Sequence, residues 1–400
     1  MELLEYSTGG PNLEKSKGGI VPGESAPASH VRLPALDGLR GLAALCVLAS
    51  NIWNQMPPSS NTWPAAASQS NWMPHGDFAA AIFFVLSGFC LMSSSLRGAS
   101  PLDNFPGFLW RRVRRIWPAY YASLLLTLLL IRYSIGVETG TAWDLALPVT
   151  AGGVISHILL VQNAYAPFQI NPMLWSMACQ WQSYFLFTIL LSQWERRRAW
   201  MAARTMGFFV IAQLLLMFLL GGAPEERPFG FRMILMQLAF FAGMGAAKAA
   251  LTNSRRRSGR QWHWVFAISL STFATVWSSG VLPVPWRTIL MDVLAGTATV
   301  AALHIMTATE PNRLETLFRW RPFVLAGAFS FSLYLTQLPV LQLLRRYDML
   351  PNRAAGANPI LLFGMLAILS ALLAAYLFSL VFEKPFRAVE SPFPFGKRQA

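Results

Sequence analysis

The chain predicts an all-α fold, a polytopic membrane helical bundle of about ten transmembrane helices with both termini in the cytosol. Three observations predict it. Of 400 residues, 54% are hydrophobic, 13% aromatic and only 12% charged, more apolar surface than a soluble core needs. Runs of about 20 apolar residues recur along the chain, the length that crosses a hydrocarbon slab about 30 Å thick. The loops between them alternate between arginine-rich and arginine-poor, as loops on opposite sides of a membrane do.

Residues 1–33 are polar and rich in Gly, Pro, Ser and Glu. Lacking a short apolar core and a cleavage site, they read as a disordered cytosolic tail and not as a signal peptide. The first span then acts as its own insertion signal. A single transmembrane domain is expected over 34–390, followed by a short cytosolic tail, 391–400. The expected spans lie at roughly 36–56, 78–96, 116–135, 174–193, 202–221, 232–251, 263–281, 287–307, 323–344 and 359–382. The apolar stretch 142–165 is left out of that count, because Asp144, Pro148, Gly152, Gly153 and His157 interrupt it. It reads as a surface or re-entrant helix, since lipid-facing backbone does not tolerate that density of polar and helix-weakening residues. With this count the inner segments carry most of the Lys and Arg, Arg111 to Arg115 and Arg255 to Arg257 among them. Few fall outside, Arg232 and Arg287 among those. A spanning 142–165 would invert every later loop and destroy the asymmetry.

Composition also excludes function classes. The net charge of +14 comes from short clusters between apolar runs, with no basic stripe interleaved with aromatics, so no nucleic-acid partner is expected. Cys46, Cys90 and Cys179 lie singly inside apolar runs, a pattern of buried thiols and not of disulfides or a zinc site; no metal is expected. There is no internal repeat of interrupted spans of the kind that marks many secondary transporters.

The candidate functional residues are polar groups inside these spans. Arg40 stands about one turn into the first span, where a charge either snorkels to the surface or faces the bundle interior with a role. Asn51 follows after almost three helical turns, on the same face and about 16 Å further along. RRVRRIWP, residues 111–118, is either a positive-inside cluster at anionic lipid or a clamp on phosphates, which guanidinium forks match bidentately. In FFVLSGF, residues 83–89, Ser87 and Gly88 are small mid-span residues that normally let helices pack closely. A nucleophilic Ser87 would need a base, and local sequence offers none. His263 and His304 read as interfacial or packed, and Glu383 as a local partner of Lys384 or Arg387.

LDGLRGLAAL at 36–45, FFVLSGF at 83–89, RRVRRIWPAYY at 111–121, LWSMACQW at 174–181, FFAGMGAA at 240–247, FSFSLYLTQLP at 329–339 and FEKPFR at 382–387 occur in this order. Together they resemble the integral-membrane acyltransferase-3 family over about residues 33–390. The resemblance implies transfer of an acyl group, commonly acetyl from acetyl-CoA, onto a hydroxyl of a sugar, lipid, antibiotic or other small molecule. The stretch around Gln180 looks like that of stand-alone fungal members, which often act in secondary metabolism. It makes Arg40, Arg111, Arg112 and Arg115 the candidates for acyl-CoA, with acyl-CoA a co-substrate and no bound cofactor. Ser87, Gly88, Trp175, Ser176 and Tyr334 would line the site. An endoplasmic reticulum location is expected.

At three positions the chain departs from the family pattern. The usual general base, a His eleven residues after the first-span Arg, falls on Asn51. The acidic residue after the Trp-Ser pair falls on Gln180, and a second His falls on Gln337. Asn and Gln orient a substrate or donate to an oxyanion but do not take a proton near neutral pH. Substitute bases are His75, with Asp77 beside it, and His157. The leading expectation remains an O-acyltransferase acting on a small hydroxylated acceptor. A site of amides and aromatics is also compatible with cyclisation or isomerisation of an apolar intermediate without CoA, or with a non-catalytic carrier or partner.

Overall fold

The computed structural model describes residues 34–55, 78–98, 100–195, 199–220, 227–252, 259–279, 282–308, 312–347, 349 and 357–387. Among these the regular structure is helical throughout, without a strand. The helices are α1 (Pro34–Gln55), α2 (Ala79–Leu96), α3 (Phe105–Leu130), α4 (Ala151–Ile158), α5 (Trp175–Glu195), α6 (Ala199–Leu220), α7 (Arg227–Thr252), α8 (Arg260–Ser279), α9 (Val284–Met306), α10 (Arg313–Phe318), α11 (Arg321–Ala328), α12 (Ser330–Arg346), α13 (Ala357–Phe382) and α14 (Lys384–Arg387). A π-helical turn, Ile131–Ile135, extends α3, and a 3-10 turn spans Ala142–Ala146.

A helix stands at each of the ten expected span positions. Six are long and apolar enough to cross a membrane: α1, α2, α3 with its extension, α7, α9 and α13. The expected ninth span is broken. α11 and α12 meet at 76° around Phe329 and count as one span only if the bent pair is taken together. Phe329 itself leaves helical geometry, with φ −126° and ψ 20°.

Two helix starts differ from expectation. Asn104 caps α3 by accepting from the Gly107 amide at 2.8 Å, with Pro106 in the first turn. The helix therefore begins well before 116, and Arg111 to Arg115 ride on it instead of preceding it. α7 likewise begins at Arg227, so Arg232 is a buried helix residue and not a loop charge.

Small residues set the tightest crossings. A Cβ on Gly88 would stand 2.0 Å from the Phe240 carbonyl oxygen, and one on Gly243 2.0 Å from that of Val85. α2 and α7 therefore touch backbone to backbone, the geometry that small residues allow in membranes, where apolar side chains gain little by leaving lipid.

The stretch after α3 dips back into the bundle. The Trp143 indole N–H donates to the Ile135 carbonyl at 2.9 Å, near the end of α3. The hydroxyls of Tyr120 and Tyr121 donate to the carbonyls of His157 and Ile158, at 2.9 and 2.7 Å. Fifteen residues separate Ile135 from Tyr120, about 22 Å of helix axis, and Tyr120 is the midpoint of the Phe105–Ile135 span. α4 thus descends to mid-depth, and the chain turns there. The Ile170 amide then bonds back to the Ala146 carbonyl at 3.0 Å. Gln162 donates to both Tyr120 Oη and the Leu174 carbonyl, so α5 starts in the middle of the bundle instead of at its edge. Of the two readings of 142–165, the re-entrant one fits. Leu160 within it, and Ala166 and Ile170 just after it, adopt left-handed backbone with φ of 57 to 68°, a conformation that costs about 1–3 kcal/mol each.

Candidate active site

The re-entrant segment, α1, α3, α5 and α12 bring a layer of polar side chains together at that depth. Leu335 of α12 accepts at its carbonyl from Ser123 Oγ at 3.0 Å and from Asn171 Nδ2 at 3.1 Å. Beside it, Ser176 donates to Tyr334 Oη at 2.9 Å, and its hydroxyl oxygen lies 3.3 Å from the Met173 carbonyl oxygen. Tyr334 meets the ring of Phe83 edge-on, centroids 6.2 Å apart. On α2, Phe83, Ser87 and Cys90 share a face by their helical spacing, which places half-buried Ser87 between Tyr334 and the arginines described below. Gly88, by contrast, is a packing contact against α7 and not a lining residue.

The three amides belong to this layer. Asn51 Nδ2 reaches Met173 Sδ at 3.6 Å, next to the Ser176–Tyr334 pair. Gln180 lies one turn beyond Ser176 on α5, and Gln337 one turn beyond Tyr334 on α12. Gln337 is fully buried; neither its Oε1 nor its Nε2 has a hydrogen-bond partner among the described residues, and the same holds for Gln180 Nε2. A buried polar atom left unpaired costs about 1–3 kcal/mol. Three such atoms lie within about one helical turn of the bonded Ser–Tyr pair.

About three helical turns back along α1 from Asn51 the side chains are basic. The Arg40 guanidinium bonds Asp37 at 3.1 Å and the Cys90 thiol at 3.1 Å, so it faces α2 inside the bundle and does not snorkel. Arg112 of α3 packs between the rings of Phe108 and Tyr184, 5.4 and 5.7 Å from their centroids. Arg111 is half-buried, while Arg115, one turn further along α3, is exposed.

One cluster beside the site went unmarked in the sequence. Arg232 and Asp292 form an ion pair at 2.6 Å, both buried, and the guanidinium lies 5.1 Å from the Trp175 ring. Phe229 flanks the same indole at 5.4 Å. The residue next to Ser176 is thus held by a charge pair joining α7 to α9. An acid within an otherwise apolar span was the available signal, since such residues are costly in a membrane.

Of the remaining candidates, His75 and Asp77 lie outside the described residues. His304 is packed, its ring stacked on Trp262 at 3.9 Å. Glu383 is not a surface partner of Lys384. It is buried and accepts from Ser332, while Lys384 lies over the Tyr376 ring at 4.8 Å. Among the described residues no group of His, Cys, Asp and Glu is placed to hold a metal ion.

Apolar helices of membrane-spanning length around buried hydroxyls and amides mark an integral-membrane protein with a polar interior. The chain belongs to the acyltransferase-3 family, whose model, an acyltransferase domain, matches residues 33–380; it is an acyltransferase. It is 27% identical to the acyltransferase MdmB of Streptomyces mycarofaciens, over 79% of this chain and 81% of that protein. It is 25% identical to the putative peptidoglycan O-acetyltransferase YrhL of Bacillus subtilis and 22% identical to the peptidoglycan O-acetyltransferase OatA of Listeria monocytogenes. The alignments cover 90 and 91% of this chain but only 55 and 56% of those two proteins. No solved structure matches it.

Proposed function

We propose that the protein transfers an acyl group, acetyl by preference, from acyl-CoA to a hydroxyl of a small molecule. The observation that carries this reading is the pairing of a basic cluster with a buried polar layer. Arg40 bonds Cys90 and Arg112 lies between Phe108 and Tyr184 at one end, while Asn51, Ser176 and Tyr334 meet Met173 or each other at the other. Along α1 the two ends are about 16 Å apart, a span that an extended pantetheine arm bridges. The arginines then take the anionic part of CoA, and the hydroxyl–amide layer takes the thioester and the acceptor. Because two relatives are named for O-acetyl transfer to peptidoglycan, oxygen is the favoured acceptor atom. Ten spans with both ends in the cytosol, an endoplasmic reticulum location and a role in secondary metabolism complete the proposal; the first puts the arginine end on the side where acyl-CoA is made.

The test is direct. Purified protein with acetyl-CoA and a panel of alcohols should release CoA, with the product heavier by one acetyl group, and Arg40→Ala should depress the rate. A product of unchanged mass formed without CoA would instead support isomerisation or cyclisation. No CoA release with any acyl donor rejects the proposal.

A further inference from the structure

We infer that His157, at the buried tip of the re-entrant segment, is the general base that the three amides do not supply. The inference rests on the acyl-transfer reading and assigns a residue to its proton-transfer step.

His157 has no exposed surface. Its Nδ1 lies 2.8 Å from the Gly153 carbonyl oxygen, an atom that only accepts, so Nδ1 carries the proton and Nε2 keeps its lone pair. Nε2 is buried and has no hydrogen-bond partner among the described residues. The neighbouring amide tells the same story. Gln162 donates from Nε2 to the Leu174 carbonyl at 2.8 Å and to Tyr120 Oη at 3.2 Å, which fixes its orientation, and its Oε1 is left buried and unmet. Tyr120 joins the two residues, since its hydroxyl donates to the His157 carbonyl.

Both unmet atoms are acceptors. The partner they lack is therefore a donor, and an O–H group is the donor this enzyme class brings to its site. The place is right as well: Gln162 is bonded to Leu174, the residue before Trp175 and two before Ser176. The titratable groups beside His157 are Tyr120 and Tyr121 of α3, whose hydroxyls donate to the carbonyls of His157 and Ile158.

Nε2 takes the proton of the acceptor hydroxyl as its oxygen attacks the thioester carbonyl. The carbon–sulfur bond then breaks, and the departing CoA thiolate takes the proton back from Nε2. Acyl-CoA and alcohol become ester and free CoA, and the imidazole is neutral again.

Two measurements on the full-length protein in detergent test this. In the first, diethyl pyrocarbonate is applied to wild type and its adducts are located by peptide mass. His157 should be modified at Nε2, and cyclohexanol or geraniol at high concentration should slow it. An inert His157, while His263 reacts, means that the atom faces only a sealed pocket or a trapped water, and it overturns the inference without any folding question. In the second, CoA release from acetyl-CoA with the same alcohols is followed against pH. His157→Gln should lose about 10²–10⁴-fold in kcat with little change in KM for acetyl-CoA, together with the acid limb of the pH profile. Active wild type with an unaltered His157→Gln profile overturns this inference alone. Inactive wild type overturns it together with the acyl-transfer reading.

Discussion

Ser176 donates a hydrogen bond at 2.9 Å to the phenolic oxygen of Tyr334, and both side chains are buried. The bond ties the first turn of α5 to α12, next to Asn51 and between Gln180 and Gln337. Hydrogen bonds between membrane helices are modest, about 0.6 kcal/mol on average and up to about 1.7. A double-mutant cycle of Ser176→Ala and Tyr334→Phe, read from denaturant unfolding in detergent, should give a coupling within that range. Strict additivity of the two changes would mean that the bond does not hold the helices in place.

Gln337 separates a stability role from a site role. Its amide is fully buried, and neither polar atom has a partner among the described residues. An unpaired buried amide destabilises by about 1–3 kcal/mol, and an apolar side chain of similar size removes that penalty. Gln337→Leu should therefore raise the unfolding midpoint while lowering kcat/KM for the acceptor. A variant that is less stable and fully active would show that the amide is bonded within the fold and is not part of the site.

Much of this was legible from sequence because the informative signals were local. Apolar run length placed a helix at all ten positions, and the spacing from Arg40 to Asn51 put both on one buried side of α1. What escaped needed contacts between distant segments. Hydropathy averages over a window, so it cannot show that α5 begins against the middle of α3 or that α12 bends away from α11 at Phe329. It also merged Arg232 with the loop charges, because nothing near it in sequence announces Asp292, sixty residues on. The re-entrant segment was recognised by its polar residues, but its depth depends on two tyrosine hydroxyls of α3.

The arginines should not behave alike. Arg40 is held by Asp37 and Cys90 inside the bundle, whereas Arg115 is exposed on α3. A hydrogen bond to a charged group contributes about 1.5–3 kcal/mol, so Arg40→Ala should raise KM for acetyl-CoA about 10- to 150-fold. Arg112→Ala should act in the same direction, with the added loss of its contacts to Phe108 and Tyr184. Exposed charges are screened and contribute less than about 1 kcal/mol, which limits Arg115→Ala to about fivefold. Steady-state kinetics with acetyl-CoA varied at fixed acceptor decide between them, and equal effects at Arg40 and Arg115 would place the anion site at the membrane surface instead of inside the bundle.

The Arg232–Asp292 pair should be costly to break and cheap to replace. Both side chains are buried, their charged atoms 2.6 Å apart, and removing one partner leaves the other charge uncompensated at a cost of about 3–5 kcal/mol. Asp292→Ala should accordingly lower the unfolding midpoint sharply, and Arg232→Ala nearly as much. Replacing both by apolar residues of similar volume, Arg232→Met with Asp292→Leu, removes the stranded charge and should recover most of the stability. Activity should not return with it, because the guanidinium that lies over Trp175 is gone and the indole next to Ser176 loses the group that fixes its plane. A double variant as active as wild type would mean that Phe229 alone positions Trp175, and that the ion pair serves only to join α7 to α9.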